Sequence, residues 1–143
     1  MVAFAPHGEY RLDVDDRIVR TVSADAMNDE AIAQFGRDMA AVFEGFAGRP
    51  FGYYCVYGPG VLLTPDAIEQ ARPNILNRHA KGGVATAVNF SQSDHPTIIR
   101  AQIAEIYREM DVVWREFETY DEAKAWLLEK IAEADRASGP NAK

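Results

Sequence analysis

From residue 23 onward a helix-like apolar period gives way to a strand-like one three times before a closing helix, and this alternation restricts the fold more than any other feature of the sequence. Strands separated by helices cannot close as hairpins. They pair in parallel through right-handed crossovers, so an α/β sheet is expected. Ile32, Phe35, Met39, Val42, Phe43 and Phe46 recur at steps of three and four as far as the glycines Gly45 and Gly48. This predicts a first helix with one buried face, capped by Asn28. Residues 51–57, Phe-Gly-Tyr-Tyr-Cys-Val-Tyr, are β-prone and almost continuously apolar up to Gly58-Pro59-Gly60, as befits a central strand covered on both faces.

Thr64-Pro65-Asp66 is a helix start: the hydroxyl can accept from a free amide, proline has no amide to lose, and the acid suits the positive helix end. Ile68, Ala71, Ile75 and Leu76 supply its apolar face, and Pro73 is expected to kink or shorten it. His79, with Arg78 and Lys81, reads as a basic helix end that complements the dipole and needs no ligand. In residues 84–90, Val84, Thr86, Val88 and Phe90 alternate with Ala85, Ala87 and Asn89, predicting a strand whose small residues lie beneath a helix. A third helix is expected from Thr97, with Ile99, Ile103, Ile106 and Met110 on one face and Ser93 or Asp94 as cap. Residues 112–118 read as the last strand. Thr119 and Glu122 have capping-box spacing before Ala123, Trp126, Leu127 and Ile131, which are assigned to core packing.

Ahead of this alternation, residues 10–14 and 17–22 flank Asp15-Asp16 with a period near two, an N-terminal antiparallel hairpin. The expected architecture is therefore one α/β domain over residues 9–134, with a mixed, mostly parallel sheet of about five strands, an opening hairpin and about four helices. Residues 1–8 and 135–143 read as tails. A length of 143 residues with 48% hydrophobic and 26% charged residues suits one globular domain and excludes disordered and disulfide-rich classes. The net charge of −7 repels phosphate backbones and anionic lipid surfaces, so no nucleic-acid partner is expected. No apolar stretch is long enough for a membrane span, and the acidic chain with its one cysteine, Cys55, reads as cytoplasmic.

The element order, together with Phe117-Glu-Thr-Tyr-Asp-Glu-Ala-Lys-Ala-Trp126-Leu127, resembles the STAS family of anti-sigma-factor antagonist-like domains, and more closely their SpoIIAA-like bacterial relatives. The resemblance implies a STAS-like fold and a non-enzymatic regulatory or ligand-binding module. Antagonists of this family carry a phosphorylatable serine in an Asp-x-Ser-Gly motif where the helix after the central strand starts. The corresponding stretch here is Gly60-Val-Leu-Leu-Thr64-Pro65-Asp66, without that motif.

In open α/β sheets, ligands sit beyond the carboxyl ends of the strands. This places a candidate ligand site in two loops, with Tyr57, Gly58, Gly60 and Thr64 from one and Asn89, Ser91, Ser93 and His95 from the other. The occupant is either a protein partner or a small ligand, and the oligomeric state stays open, a dimer included. The alternatives are a small enzyme using His95 with nearby hydroxyls, and a carrier of an apolar ligand. Phe51, Tyr53, Tyr54 and Tyr57 can line a cavity, although packing of a central strand accounts for them more readily. Cys55 reads as a buried small apolar residue. No catalytic residue is assigned, and His7, His79 and His95 lack metal-ligand spacing; neither metal nor cofactor is implied.

Overall fold

A computed structural model describes residues 3–4, 10–23 and 29–138 of the chain. Six strands form one sheet in simple sequential order: β1 (Ala3–Phe4), β2 (Tyr10–Asp15), β3 (Ile18–Ser23), β4 (Phe51–Tyr57), β5 (Gly83–Asn89) and β6 (Trp114–Glu116). β1, β2 and β3 pair antiparallel, and every later pairing is parallel. The expected mixed α/β sheet with its opening hairpin is what the structure shows. Its additional strand is the two-residue β1, which pairs with β2 inside the stretch assigned to an N-terminal tail. The hairpin turns at Asp16, in the left-handed region at φ 54°, a conformation that a short acidic side chain tolerates.

The helices are α1 (Asp29–Glu44), α2 (Pro65–Ala80), α3 (Pro96–Glu109) and α4 (Tyr120–Ser138). Three consecutive crossovers of one hand between adjacent strands put their helices on one side of a sheet. Accordingly, α1 packs with Tyr10, Leu12, Val19, Phe51 and Tyr53, and α3 with Val88 and Phe90 on the same face. α4 covers the opposite face, where Ala123, Leu127 and Ile131 lie on Ile18, Tyr54, Val56, Ala85 and Ala87. The small residues of β5 do sit beneath a helix, as their alternation predicts. Among the described residues no helix is long and apolar enough to cross a membrane.

Several boundaries differ from the sequence expectations. α2 runs unbroken through Pro73; Pro73 and Glu69 are both exposed, so water can satisfy the carbonyl that the missing amide leaves. Leu76, assigned to the apolar face, is 61% exposed. α3 starts at Pro96, and its N-cap is His95 without a side-chain capping bond. Ser93 Oγ instead accepts from the His95 amide at 2.9 Å, and the Asp94 amide donates to Pro59 O. β6 is three residues long, flanked by single ladder bonds from Thr86 N to Val113 O and from Phe117 N to Val88 O. α4 reaches Ser138, and within its last turns Asp135 is held in a two-pronged pair by Arg17, both bonds at 2.9 Å. Asn28, the expected cap of α1, and His7 lie outside the described residues.

The start of α2 matches its sequence signal. Thr64 is the N-cap, its Oγ1 accepts from Ala67 N at 3.1 Å, and Pro65 opens the helix. Thr64→Ala is expected to lose about 0.5 to 2 kcal/mol in urea unfolding, and Thr64→Ser little, because the acceptor oxygen remains. Equal losses in the two variants would remove the capping role.

Candidate functional site

The period of two in β4 sends Phe51, Tyr53, Cys55 and Tyr57 to the side of α1 and α2, and Tyr54 and Val56 toward α4. Above Tyr53, Cys55 and Tyr57 the structure leaves a cavity of about 170 Å³. α1 borders it with Ile32, Phe35 and Gly36, α2 with Ala67, Ala71, Ile75 and Arg78, and α3 with Ile103, Ile106 and Tyr107. Small side chains explain why it is unfilled. A Cβ added at Gly36 would meet no atom within 4 Å, and Ala67 and Ala71, one turn apart on α2, present only methyl groups.

The segment from Val61 to Thr64 forms one rim. It is tied to α3 by Gln102, whose Oε1 accepts from Leu63 N at 3.0 Å and whose Nε2 donates to Leu63 O at 2.8 Å. The mouth lies toward Thr64 and Gln70, which are exposed, whereas Cys55, Ile75, Arg78 and Tyr107 are buried.

The polar groups of the floor are neutral. Thr21 Oγ1 and Tyr53 OH share a hydrogen bond of 2.6 Å. Burial pushes the Tyr53 and Tyr57 hydroxyls well above the ordinary tyrosine value, and raises Tyr107 too. Burial also raises the Cys55 thiol, against the opposing hydrogen bonds of Thr21, Tyr53 and Tyr57. The thiol is therefore no activated nucleophile. Among the described residues of the wall, the one charged side chain is Arg78. It is 3% exposed, its guanidinium carbon lies 4.6 Å over the Tyr53 ring, and Nη2 is 3.4 Å from Thr86 Oγ1.

Of the eight residues expected to bind a ligand, Tyr57 and Thr64 line this cavity. The loops carrying Gly58 and Gly60, and Ser91, Ser93 and His95, do meet, joined by the Asp94 N to Pro59 O bond. Asn89 faces the other side of the sheet and its polar atoms serve the fold. Its Nδ2 donates to Tyr54 OH at 3.0 Å and to Glu118 O at 3.1 Å, and its Oδ1 accepts from Ser91 N at 2.8 Å. Cys55 is buried, as expected.

Arg78 is the residue that the sequence reading misplaced: it turns inward and does not join a solvated basic helix end. The signal was present, since Ile68, Ala71, Ile75 and Arg78 follow one another at steps of three, four and three, so Arg78 belongs to the apolar face of α2. Gly83 makes room for it: a Cβ there would lie 2.7 Å from Arg78 Cγ and 2.9 Å from its carbonyl oxygen. Among the described residues no group of three or more His, Cys, Asp or Glu side chains is placed to hold a metal ion. Comparison of the chain with protein-family models, curated proteins and solved structures finds no match.

Proposed function

We propose that this protein is a non-catalytic, cytosolic small-ligand-binding module, and that its ligand occupies the cavity between β4, α1 and α2. The observation that carries this reading is the unfilled volume of about 170 Å³ between the sheet and its helices. An engineered apolar cavity of roughly 150 Å³ takes one benzene molecule, so a ring-sized body fits this one. The cavity lies beside the loop that follows β4, near the carboxyl ends of the parallel strands, where ligands of open α/β sheets collect. Protonated Cys55 and tyrosine hydroxyls offer hydrogen bonds and no activated nucleophile, which favours binding over covalent catalysis. A place among the bacterial SpoIIAA-like STAS relatives is part of the proposal and rests on the element order and on residues 117–127. The Asp-x-Ser-Gly switch of that family has no counterpart here, and Thr64 is engaged as a cap.

Toluene is the simplest probe. At a concentration about a hundredfold above its dissociation constant it should stabilise the protein by about 2.7 kcal/mol, read as a higher Tm. Ala71→Phe, which places a ring in the cavity, should abolish the shift. No shift in the wild-type protein, or an equal shift in the filled variant, would overturn the reading.

A further inference from the structure

We infer that the cavity is made for a monoanion, a carboxylate attached to a compact apolar body, and that Arg78 receives its carboxylate group. The inference rests on the cavity being a ligand site and names the chemistry of its occupant.

A guanidinium stays protonated in proteins, so burying one sets an electrostatic demand that a titrating lysine or histidine can avoid. Arg78 is buried at 3% exposure, yet among the described residues no carboxylate lies within ion-pair distance of it. Arg17, Arg20, Arg72, Arg100 and Arg108 each meet an acid at 2.9 Å or less, and Arg37, which donates to Gln34 Oε1 at 2.7 Å, is exposed to water. What surrounds Arg78 is a ring face, from Tyr53 at 4.6 Å, and the hydroxyls of Thr86 and Tyr107. Stacking occupies the face of the guanidinium and leaves its edge, where the N–H groups lie, for hydrogen bonds. The contact to Thr86 at 3.4 Å is long compared with a mode of about 2.9 to 3.0 Å. No buried side-chain nitrogen or oxygen of the described residues lacks a hydrogen-bond partner, but these partners of Arg78 carry no charge, and a carboxylate is the charged, bidentate match of a guanidinium.

Charge and size narrow the class. Arg78 is the sole charged residue among the described residues that line the cavity, so a single negative charge is neutralised by it, whereas a dianionic phosphate would retain an excess. A volume of about 170 Å³ admits a ring and a carboxylate, so the occupant has the dimensions of benzoate. Tyr53, Tyr57 and Tyr107 keep their protons because of burial, and protonated hydroxyls are donors suited to the same oxygens.

Titration calorimetry with benzoate, benzamide, phenylphosphonate and toluene tests this at neutral pH. Benzoate is expected to bind at least tenfold more tightly than benzamide, which has the same shape and no charge, and more tightly than phenylphosphonate. Benzoate should also shift the Arg78 Nε resonance in the NMR spectrum, which places the anion in the cavity and not on a surface cation. Arg78→Met should lose at least tenfold in benzoate affinity while holding toluene as well as the wild type does. If that variant does not fold, the wild-type comparison still decides. Equal affinity for benzoate and benzamide, or an Arg78 resonance that does not move, overturns the carboxylate assignment and leaves the cavity reading standing if toluene binds. Tighter phenylphosphonate binding overturns the choice of a monoanion. Failure of toluene itself to bind removes both readings.

Discussion

Phe51→Ala is expected to lose about 3 to 5 kcal/mol, the range for truncating a fully buried aromatic. Phe51 is 0% exposed and stacks on Phe43 at 5.2 Å and on Phe46 at 4.5 Å between ring centroids. It stands at the entrance of β4, so one ring joins the central strand, α1 and the turn after α1. Against a typical total of about 5 to 15 kcal/mol, the loss would bring the protein close to half-unfolding at moderate urea. The check is a urea midpoint with an unchanged slope. A loss below about 1 kcal/mol would mean that the α1 side of the sheet is not packed as described.

The second large effect is at the other face. Leu127→Ala should lose about 2 to 5 kcal/mol, and Trp126→Ala less than half as much. Leu127 is 0% exposed and lies directly over β4: a Cβ built at Gly52 would be 3.0 Å from its Cδ2. Trp126 is only partly buried, resting beside Phe117 at 5.6 Å with Lys130 over its outer face at 5.9 Å. Thermal unfolding of the two variants measures the ranking. A larger loss for Trp126→Ala would show that α4 is rotated on the sheet.

That ranking illustrates what the sequence conveyed and what it withheld. Spacing identified the helix and its buried stripe, Ala123, Leu127 and Ile131, but steps of three and four do not distinguish the centre of a stripe from its edge. Trp126 is one position removed from Leu127, which is about 100° of helix rotation. The parallel sheet was legible because the period changes are strong and the breakers clear: Gly58-Pro59-Gly60 and Gly82-Gly83 bracket α2 on both sides. Pro73 misled because a proline costs a helix most where its missing amide leaves a buried carbonyl, and on α2 that carbonyl faces water.

The cavity was the least legible part. A sequence records which side chains are large, but a void arises where small ones meet across elements, here Gly36 of α1 with Ala67 and Ala71 of α2. Tyr53 and Cys55 read as packing residues, and on the one face that they present to the helices they both join the cluster beneath α1 and line the cavity. Arg78 was assigned to the helix dipole because it is basic and close to the helix end, and its place in the register of Ile68, Ala71 and Ile75 was the contrary signal. Of the expected loop residues, Tyr57 and Thr64 border the cavity, since the loop after β4 passes over it. Asn89, at the end of β5, has the opposite parity to Val88 and Phe90 and so points to α4.

The central claim is that a ligand enters between β4, α1 and α2. Crystals soaked in iodobenzene test it most directly, because the anomalous signal of iodine locates the probe without reference to any assumed site. The account predicts a peak enclosed by Phe35, Cys55, Ala71 and Ile75. A peak confined to the loops around Gly58 and His95, or none at an occupied soak concentration, would contradict it.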